Sequence, residues 1–368
     1  MTFRIGIDAR MINHSGIGVR IQNVLQFWKD PFPDTELYIF GDPDLLENYI
    51  LPKHSKIIRY KAKIYSIREL FGHPLMKKMD LLDIPHFNAP LKYLHKSIVT
   101  IHDLIPWVMR EFHSSWIKRI YLRINLNRIF KKSKQIVAVS EFTAVDIERE
   151  FGMPSNGIVV IHNGIDHYLY RSQPISKVES FKKKYNLPEK FFLTVGIGKG
   201  HKNQKFLIDC LGNEWMKEAN MPPLVIAGVG GKIPNYLKDT YEKWKRKIII
   251  LPRISDREMP LMYQSAFILI FPSLYEGFGF PVVEASAMGT LVLSSNATVL
   301  PEVLGEGALY FDPYSAESFS TQLHASLQLK ASKRKIITSL AQRHSKKFNW
   351  DKTVIEIQKN YLRIAKMM

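Results

Sequence analysis

Two glutamates, Glu276 and Glu284, stand with seven residues between them, and Gly277 and Gly279 belong to that interval. Carboxylates accept pairs of sugar hydroxyls well, and glycines let backbone N–H groups approach a phosphate or a sugar closely. A carboxylate beside a phosphate is electrostatically unfavourable, so each glutamate needs a reason to be there. The alternative is that Glu284 complements a helix dipole and that Glu276 is a solvated loop residue. The spacing, the glycines and the preceding strand favour a ligand site.

A second loop, at residues 197–203, contains glycines and two cations, Lys199 and Lys202, just before a helix predicted at 204–211. Backbone N–H groups at a helix N-terminus, together with glycine loops, bind anions. This loop therefore predicts a phosphate site.

His102 and Asp103 directly follow the apolar run 97–101, which predicts a buried strand. Polar residues at the carboxyl end of a parallel strand belong to the edge of the sheet that binds ligands. A carboxylate beside a working histidine commonly orients its ring. A lone histidine is more often structural, but this position favours a functional one.

The elements expected to position these residues alternate between strands and helices. The apolar run 266–271 is typical of a buried parallel strand. Pro281 suits the first position of a helix, and Gly289 suits its end. The order is strand, glycine loop, helix, strand, with the helix N-terminus at the ligand-binding edge. Other apolar runs predict strands at 3–7, 37–40, 97–101 and 191–196.

Gly16 and Gly18 lie between the first predicted strand and a helix predicted at 19–28. As a dinucleotide-binding fingerprint the pair is weak, because Ile21 replaces the third glycine and the preceding loop is too long for the tight turn. A loop that lines a ligand cleft and an ordinary strand-to-helix turn both stay open.

Composition limits the class of protein. The 368 residues suffice for two domains. With 52 Lys and Arg against 34 Asp and Glu, the net charge of +18 favours polyanionic partners, namely nucleotides, nucleic acid or an anionic membrane. The single cysteine, Cys210, fits a reducing compartment. No apolar run reaches the roughly 20 residues that span a bilayer, and the N-terminus reads as a strand. We therefore expect a cytoplasmic protein.

The stretch 53–79 mixes Lys and Arg with apolar residues. Such a mixture is typical of a surface that rests on an anionic membrane, with lysine stems along the apolar layer. A strand plus a helix with a solvated basic face is the alternative. Farther along, the polar segment 167–190 predicts a linker, so we expect one domain at 1–170, joined by a final helix at 352–368, and a second at 171–351.

Several segments, taken in order along the chain, resemble glycosyltransferase family 4, the retaining nucleotide-sugar transferases of GT-B fold. They are S-G-I-G, H-D-L-I-P, V-S-E-F-T, N-G-I-D, E-G-F-G-F-P-V-V-E-A-S-A-M-G-T and S-N-A-T-V-L-P-E-V. The resemblance implies an α/β protein of two Rossmann-like domains that face each other across a cleft, with the C-terminal helix crossing back to the N-domain. It also implies transfer of a hexose to a hydroxyl group without a metal or a cofactor.

The same resemblance implies roles for individual residues. Catalytic roles fall to His102, Glu276 and Lys202. Donor binding falls to Gly16, Gly18, Lys199, Lys202, Arg253, Glu276, Gly277, Phe278, Gly279 and Glu284. Within this set Lys202, with Lys199, is expected on the diphosphate, Glu276 on the sugar, Glu284 on the ribose and Arg253 near the base. His86 and Asn88 are candidates for acceptor contact, with a structural role as the alternative. The family's arginine in the lysine loop is absent, and Ile197 and Gly198 occupy its place.

The amino-acid sequences of these motifs look most like those of bacterial mannosyltransferases that assemble surface polysaccharide and lipopolysaccharide. We therefore expect GDP-mannose as the donor and a glycan or lipid-linked acceptor, with a peripheral position on the inner face of the membrane. A UDP- or dTDP-hexose transferase, an epimerase of the same fold and a non-catalytic sugar-binding relative are alternatives. A basic nucleic-acid-binding protein is remote, because the positive charge is scattered and no recognition motif occurs.

Overall fold

The computed structural model describes residues 2–30, 34–109, 116–196, 199–228 and 233–366. The chain forms two compact units. The N-terminal unit comprises residues 1–164 and 348–368, and the second unit comprises residues 165–347. These divisions lie six and four residues before the expected ones at 170 and 351, because the chain leaves and re-enters the N-terminal unit at a tightly packed point.

The N-terminal unit contains a seven-stranded sheet in which every described pair of neighbours is parallel. Its strands are β1 (Phe3–Asp8), β2 (Thr35–Gly41), β3 (Lys56–Arg59), β4 (Leu81–Ile84), β5 (Ser97–Ile101), β6 (Gln135–Ala138) and β7 (Val159–Val160). They lie in the order β3-β2-β1-β4-β5-β6-β7. The order reverses direction between β1 and β4, which makes that pair the switch point where such sheets bind ligands.

Among the described residues of this unit, six α-helices accompany the strands: α1 (Ser15–Gln26), α2 (Pro43–Leu46), α3 (Ile67–Phe71), α4 (Ile105–Val108), α5 (Trp116–Lys132) and α6 (Glu141–Phe151). Local chemistry sets their ends. Ser140 caps α6 by accepting a hydrogen bond from the N–H of Thr143, and Gly152 ends it in the left-handed conformation. The basic stretch 53–79 contains one of these strands, β3, and one of these helices, α3.

The C-terminal helix, Trp350–Ala365, returns to the N-terminal unit, as the family resemblance implies. Val354, Ile357, Tyr361 and Ile364 pack in the apolar core that also contains strand residues of β1 and β2. The phenol of Tyr361 donates a hydrogen bond to the buried carboxylate of Asp83. Because these side chains are almost fully buried, the helix is part of the core of this unit.

Gly164 marks the point where the chain leaves the N-terminal unit. A Cβ atom at this position would lie 2.3 Å from the backbone N of Trp350 and 2.6 Å from the carbonyl carbon of Asn349. The two backbone segments are therefore in direct contact, and only glycine allows that approach.

The second unit contains a six-stranded sheet, also parallel throughout its described pairs. Its strands are β8 (Phe192–Val195), β9 (Leu224–Ala227), β10 (Ile248–Ile250), β11 (Ile268–Phe271), β12 (Leu291–Ser295) and β13 (Ala308–Phe311). The order is β10-β9-β8-β11-β12-β13, so the switch point lies between β8 and β11.

The helices of the second unit pack against its sheet, and the loops that follow its strands lead into them. They are α7 (Ile175–Lys184), α8 (Gln204–Lys217), α9 (Lys238–Trp244), α10 (Met259–Ser265), α11 (Phe280–Ala287), α12 (Leu300–Leu304), α13 (Ala316–Leu327) and α14 (Ala331–Ser345). Among the described helices of the chain, none is both long enough and apolar enough to cross a membrane.

Candidate functional site

The two loops singled out in the second half of the sequence meet at the switch point of the second unit. The lysine loop follows β8 and the glutamate loop follows β11, and these strands are neighbours. Lys202 ends a short 3-10 helix, Gly200–Lys202, just before α8. Its Nζ lies 2.6 Å from Oε1 of Glu276, so the predicted cation and the predicted carboxylate form an ion pair.

This ion pair is largely withdrawn from solvent. The side chains of Lys202 and Glu276 keep only 19% and 10% of their exposure. The Lys202 ammonium also lies 5.2 Å from the centroid of the Phe271 ring, which closes β11. An ion pair in such surroundings is screened less by water and salt than a surface pair, so its charges act strongly on whatever enters the loop.

Backbone hydrogen bonds fix the two loops to each other. The N–H of Leu274 donates to the carbonyl of His201 at 2.8 Å. The N–H of Glu276 donates to the hydroxyl of Thr298 at 3.1 Å, and Asn203 adopts the left-handed conformation at the start of α8. The positions of Lys202 and Glu276 are therefore set by the fold before any ligand arrives.

The glycines lead directly into α11. Gly279 has a φ of 85° and is the N-cap of this helix, which begins at Phe280, one residue before the expected Pro281. Phe278 is buried and packs its ring against that of Phe280, with centroids 5.0 Å apart. The free N–H groups of α11 thus open on the same loop as Glu276.

Glu284 lies in α11 and is bound by two tyrosines. Its Oε2 accepts a hydrogen bond of 2.7 Å from the phenol of Tyr263, and Tyr170 also bonds to the carboxyl group. Burial raises the pKa of Glu284 to about 7, although both tyrosines lower it, and Asp256 adds to the rise. Sequence reasoning missed both tyrosines, because they come from positions far from α11 in the chain.

Lys199 and Arg253 are exposed residues of the second unit. Lys199 precedes the 3-10 helix that carries Lys202, and Arg253 lies in the loop between β10 and α10. Ile197, Gly198 and residues 229–232 of the glycine loop after β9 lie outside the described residues.

In the N-terminal unit, His102 follows β5 and is half-buried. Its Nε2 lies 3.0 Å from the carbonyl oxygen of Pro85, and because a carbonyl only accepts, Nε2 carries the hydrogen. Burial lowers the pKa of His102 to about 3, so the ring is neutral. Asp103 accepts a hydrogen bond from the N–H of Ile105. The Pro85 carbonyl thus holds the ring, and the role expected for Asp103 in orienting it stays a prediction.

His86 and Asn88 follow β4 and are buried. The Nδ1 of His86 accepts a hydrogen bond from the N–H of Asn88 at 3.1 Å, and its Nε2 lies 3.5 Å from Oδ2 of Asp8. Burial lowers the pKa of His86, against the opposite effect of Asp8. His86 is therefore a neutral, structurally engaged histidine at the switch point between β1 and β4.

Arg10 joins this switch point to α3 and was missed by sequence reasoning. Its guanidinium donates to both carboxylate oxygens of Asp8 and lies 2.9 Å from Oε1 of Glu69. The Tyr60 ring lies beneath it, 4.5 Å from centroid to Cζ. Although burial opposes it, Arg10 holds the pKa of Asp8 well below its usual range. The sequence does contain one indication of this ion pair, because Glu69 is the only acidic residue in the basic stretch 53–79.

Gly16 and Gly18 lie in the first turn of α1, which begins at Ser15 rather than at the expected residue 19. A Cβ atom on Gly18 would lie 2.4 Å from the carbonyl oxygen of Ile12. Packing against the loop after β1 is thus a sufficient reason for glycine at this position.

Within the described residues, no group of three or more His, Cys, Asp or Glu side chains is arranged to hold a metal ion. The chain does contain one short Asp-x-Asp sequence, Asp42-Pro43-Asp44, at the start of α2. Both of its carboxylates pair with the Lys61 ammonium, at 2.7 and 2.9 Å, so the sequence serves as a helix cap with a surface ion pair.

Comparison with known families gives two matches in sequence order. Residues 18–168 match the model of Glycosyltransferase Family 4, and residues 176–343 match that of Glycosyl transferases group 1. Between them they leave out the two ends of the chain and the stretch 169–175.

Two curated relatives are O-antigen chain mannosyltransferases by name. O-antigen chain mannosyltransferase B of Escherichia coli is 29% identical over 73% of this chain and 70% of its own length. O-antigen chain mannosyltransferase RfbU of Salmonella typhimurium is 29% identical over 65% of this chain and 62% of its own length. The chain therefore spans somewhat more than two thirds of the first relative and somewhat less of the second.

Two solved structures are similar along nearly the whole chain. Sucrose-phosphate synthase of Thermosynechococcus elongatus gives a TM-score of 0.78 at 17% identity, with 100% of both chains covered. Anabaena HepE, in complex with UDP and glucose, gives 0.75 at 19% identity, with 98% of this chain and 100% of that one covered. At these identities the likeness shows the fold alone.

Proposed function

Because the chain belongs to the family 4 glycosyltransferases of GT-B fold, we propose that it transfers mannose from GDP-mannose to a hydroxyl group of a glycan or lipid-linked acceptor, with retention of the anomeric configuration. The observation that carries the proposal is the buried pair of Lys202 and Glu276 at the switch point of the second unit. Mannose is supported by the names of the two mannosyltransferase relatives.

The pair of Lys202 and Glu276 answers the electrostatic objection to a carboxylate beside a phosphate. Because the Lys202 ammonium lies 2.6 Å from Glu276, it compensates the negative charge of this carboxylate before the diphosphate enters. In this proposal Lys202 lies between the two anions, Glu276 accepts hydroxyls of the mannose, and the backbone N–H groups of Gly277 to Gly279 complete the contact. Lys199 and Arg253 extend the positive charge toward the diphosphate and the base.

Stabilising the charge that develops on the leaving diphosphate is the main catalytic task in such a transfer. Lys202 and the N-terminus of α11 are the fixed positive groups proposed for it. In the N-terminal unit, the neutral His102, whose Nε2–H is engaged by Pro85, retains a hydrogen-bond acceptor at Nδ1. We assign no protein nucleophile and propose that a phosphate oxygen of the leaving group takes the proton of the acceptor hydroxyl.

A thermal-shift panel of GDP, UDP, dTDP and ADP tests the proposal, since a ligand of the folded state raises the melting temperature by linkage. We expect a selective shift with GDP that is lost in Glu284→Ala, because this carboxyl group is assigned to the ribose. Glu317→Ala is the matched control, because Glu317 is an exposed glutamate in the first turn of another helix, α13. A selective UDP shift would redirect the donor to a UDP-hexose, and the absence of any shift would overturn nucleotide binding.

The dependence of the GDP shift on pH provides an internal check. The pKa of Glu284 is about 7 in the fold, against an ordinary value near 4.3. The neutral form of Glu284 therefore adds to the free energy of unfolding of the protein. This contribution is complete below about pH 4.3, the ordinary pKa, and is lost as the pH rises through about 7, the pKa in the fold. Ribose binding, in contrast, needs the carboxylate, so the GDP shift should grow over the same range. We therefore expect the melting temperature of the free protein to fall as the pH rises, and the increase in melting temperature caused by GDP to grow. A GDP-induced increase that becomes smaller as the pH rises would contradict the assignment of Glu284 to the ribose.

We further propose that the N-terminal unit rests on the anionic inner face of the membrane. Tyr65, Ile67 and Phe71 expose 59%, 77% and 64% of their surfaces within the basic stretch 53–79. Apolar side chains set among Lys and Arg favour insertion at a charged lipid surface.

Cosedimentation with vesicles tests the membrane proposal. We expect binding to phosphatidylglycerol vesicles and little to phosphatidylcholine vesicles, with a decrease at high salt. The double variant Ile67→Ser, Phe71→Ser should bind less, whereas Ile336→Ser, at a 61% exposed isoleucine of α14, should bind like the wild type. Equal binding by all three proteins would exclude this surface.

A further inference from the structure

The backbone of Thr298 is strained. This residue belongs to the segment S-N-A-T-V-L-P-E-V, between β12 and α12. Its φ is 54°, in the left-handed region, which is a genuine outlier for a β-branched residue. Among the described non-glycine residues with a positive φ, Thr298 is the one with a branched Cβ. Strained residues of this kind persist where the surrounding structure holds them, and they concentrate at functional sites.

Contacts on both sides of Thr298 fix this conformation. Before it, the N–H of Asn296 donates to the carbonyl of Phe311 at 2.9 Å. After it, Val299 and Leu300 are completely buried at the start of α12. Because the chain is held at both ends of this short turn, Thr298 cannot relax without a displacement of α12.

The hydroxyl of Thr298 is directed at the glutamate loop. Its Oγ1 accepts a hydrogen bond from the N–H of Glu276 at 3.1 Å. The preceding part of the same loop is held by Ser295, at the end of β12, whose hydroxyl donates to the carbonyl of Ser273 at 2.6 Å. The segment after β12 thus holds the glutamate loop at two points, and Thr298 supplies the contact with Glu276 itself.

The contact with Thr298 limits where the Glu276 carboxylate can lie. A peptide unit is planar, so a bond to the N–H of Glu276 also restricts the direction in which the side chain leaves the backbone. One carboxylate oxygen, Oε1, is engaged by the Lys202 ammonium at 2.6 Å. Among the described residues, none donates a hydrogen bond to the other oxygen, Oε2. This second oxygen is therefore available to accept hydroxyl groups of a ligand.

We propose that Thr298 is a positioning residue for Glu276: its strained backbone places the hydroxyl on the Glu276 N–H, and this contact directs Oε2 toward the hydroxyls of the donor sugar. The proposal rests on the proposed function, in which Glu276 accepts hydroxyls of the mannose. Thr298 itself makes no contact with the substrate in this role. The strain lowers folding stability, and in return the carboxylate is oriented before the sugar arrives, which reduces the cost of binding.

Calorimetric titration with GDP and with GDP-mannose tests the proposal, because the ratio of the two dissociation constants contains the contribution of the mannose. We expect the ratio to move against GDP-mannose by about fivefold in Thr298→Val and in Thr298→Gly, the factor that corresponds to one ordinary hydrogen bond. Thr298→Ser keeps the hydroxyl and should keep the wild-type ratio. The affinity for GDP alone should be unchanged in all three variants, because Glu284 is assigned to the ribose.

Melting temperatures separate positioning from a general structural role. Valine keeps the branched Cβ and therefore the strain, whereas glycine adopts a φ of 54° without steric cost. Thr298→Gly should therefore melt no lower than Thr298→Val, although both lose the same sugar affinity. A structural role would instead order the sugar affinities by melting temperature. Asn186→Gly is the control, because Asn186 is an exposed left-handed residue of the same unit, with a φ of 49°, and it should keep the wild-type ratio.

The possible outcomes are distinct. A wild-type ratio in Thr298→Val, a reduced ratio in Thr298→Ser, or an equal loss in Asn186→Gly would overturn the role of Thr298 and leave the transferase proposal standing. A wild type that binds GDP but not GDP-mannose would overturn the contact of Glu276 with mannose, and with it the role of Thr298. A wild type that binds neither compound would overturn nucleotide binding and therefore both proposals.

Discussion

Replacing Lys202 by alanine is expected to lower kcat/KM for transfer from GDP-mannose by about 10²- to 10³-fold, the usual cost of removing one fixed group that stabilises developing charge. Two effects act together. The diphosphate loses the ammonium that faces it as the sugar–phosphate bond breaks. Glu276, whose oxygen lies 2.6 Å from that ammonium, becomes an uncompensated anion beside another anion. The measurement is steady-state release of GDP in the presence of acceptor.

Matched variants separate these effects. Lys205 lies three residues farther along, is exposed and pairs with Asp209, so Lys205→Ala should retain the wild-type rate. Adding Glu276→Gln to Lys202→Ala should restore part of the GDP thermal shift by removing the repulsion, without restoring turnover. If Lys202→Ala turned over within about threefold of the wild type, corresponding to less than about 1 kcal/mol, Lys202 would have no place in catalysis.

Substitution of Gly164 by alanine is expected to lower the free energy of unfolding of the N-terminal unit by about 3 kcal/mol, at the upper end of the usual cost of overpacking. The added methyl group would meet backbone atoms of Asn349 and Trp350 at 2.6 and 2.3 Å. Backbone atoms cannot move aside as a flexible side chain does. The N-terminus of the C-terminal helix, which begins at Trp350, must therefore shift. Urea unfolding followed by tryptophan fluorescence measures the change.

Gly157→Ala is the control for this substitution. No atom lies within 4 Å of a Cβ built on Gly157, and the change also reduces the entropy of the unfolded chain. Its unfolding midpoint should therefore equal or exceed that of the wild type. Equal midpoints for the Gly164 and Gly157 variants would show that the return of the chain into this unit is looser than the distances indicate.

Local patterns predicted the parts of the site that are local in sequence. Glu276, its glycines and α11 lie within one strand-loop-helix segment, and the lysine loop lies within another, so apolar runs and helix-start residues were sufficient to place them. That Lys202 and Glu276 touch depends on the pairing of β8 with β11, which the strand order of the sheet decides and which no short window of sequence contains.

The parts that sequence reasoning missed are long-range contacts between polar residues. Arg10 and Glu69 are 59 positions apart, and they meet because α3 lies beside the end of β1. Tyr263 reaches Glu284 because α10 packs on α11. Such partners show no periodicity. Only the isolated acid in the basic stretch indicated that one of them needed a buried cation.

The C-terminal helix makes the order of synthesis matter. The core that Val354, Ile357 and Tyr361 complete belongs to strands that leave the ribosome first, whereas the second unit, residues 165–347, is continuous. At about 5–20 residues per second, translation of the intervening 183 residues takes roughly 10–40 s. During that time this face of the N-terminal sheet has α1 but lacks the C-terminal helix, so the second unit is positioned to fold first. Nascent chains halted before the last helix should be the form that chaperones retain.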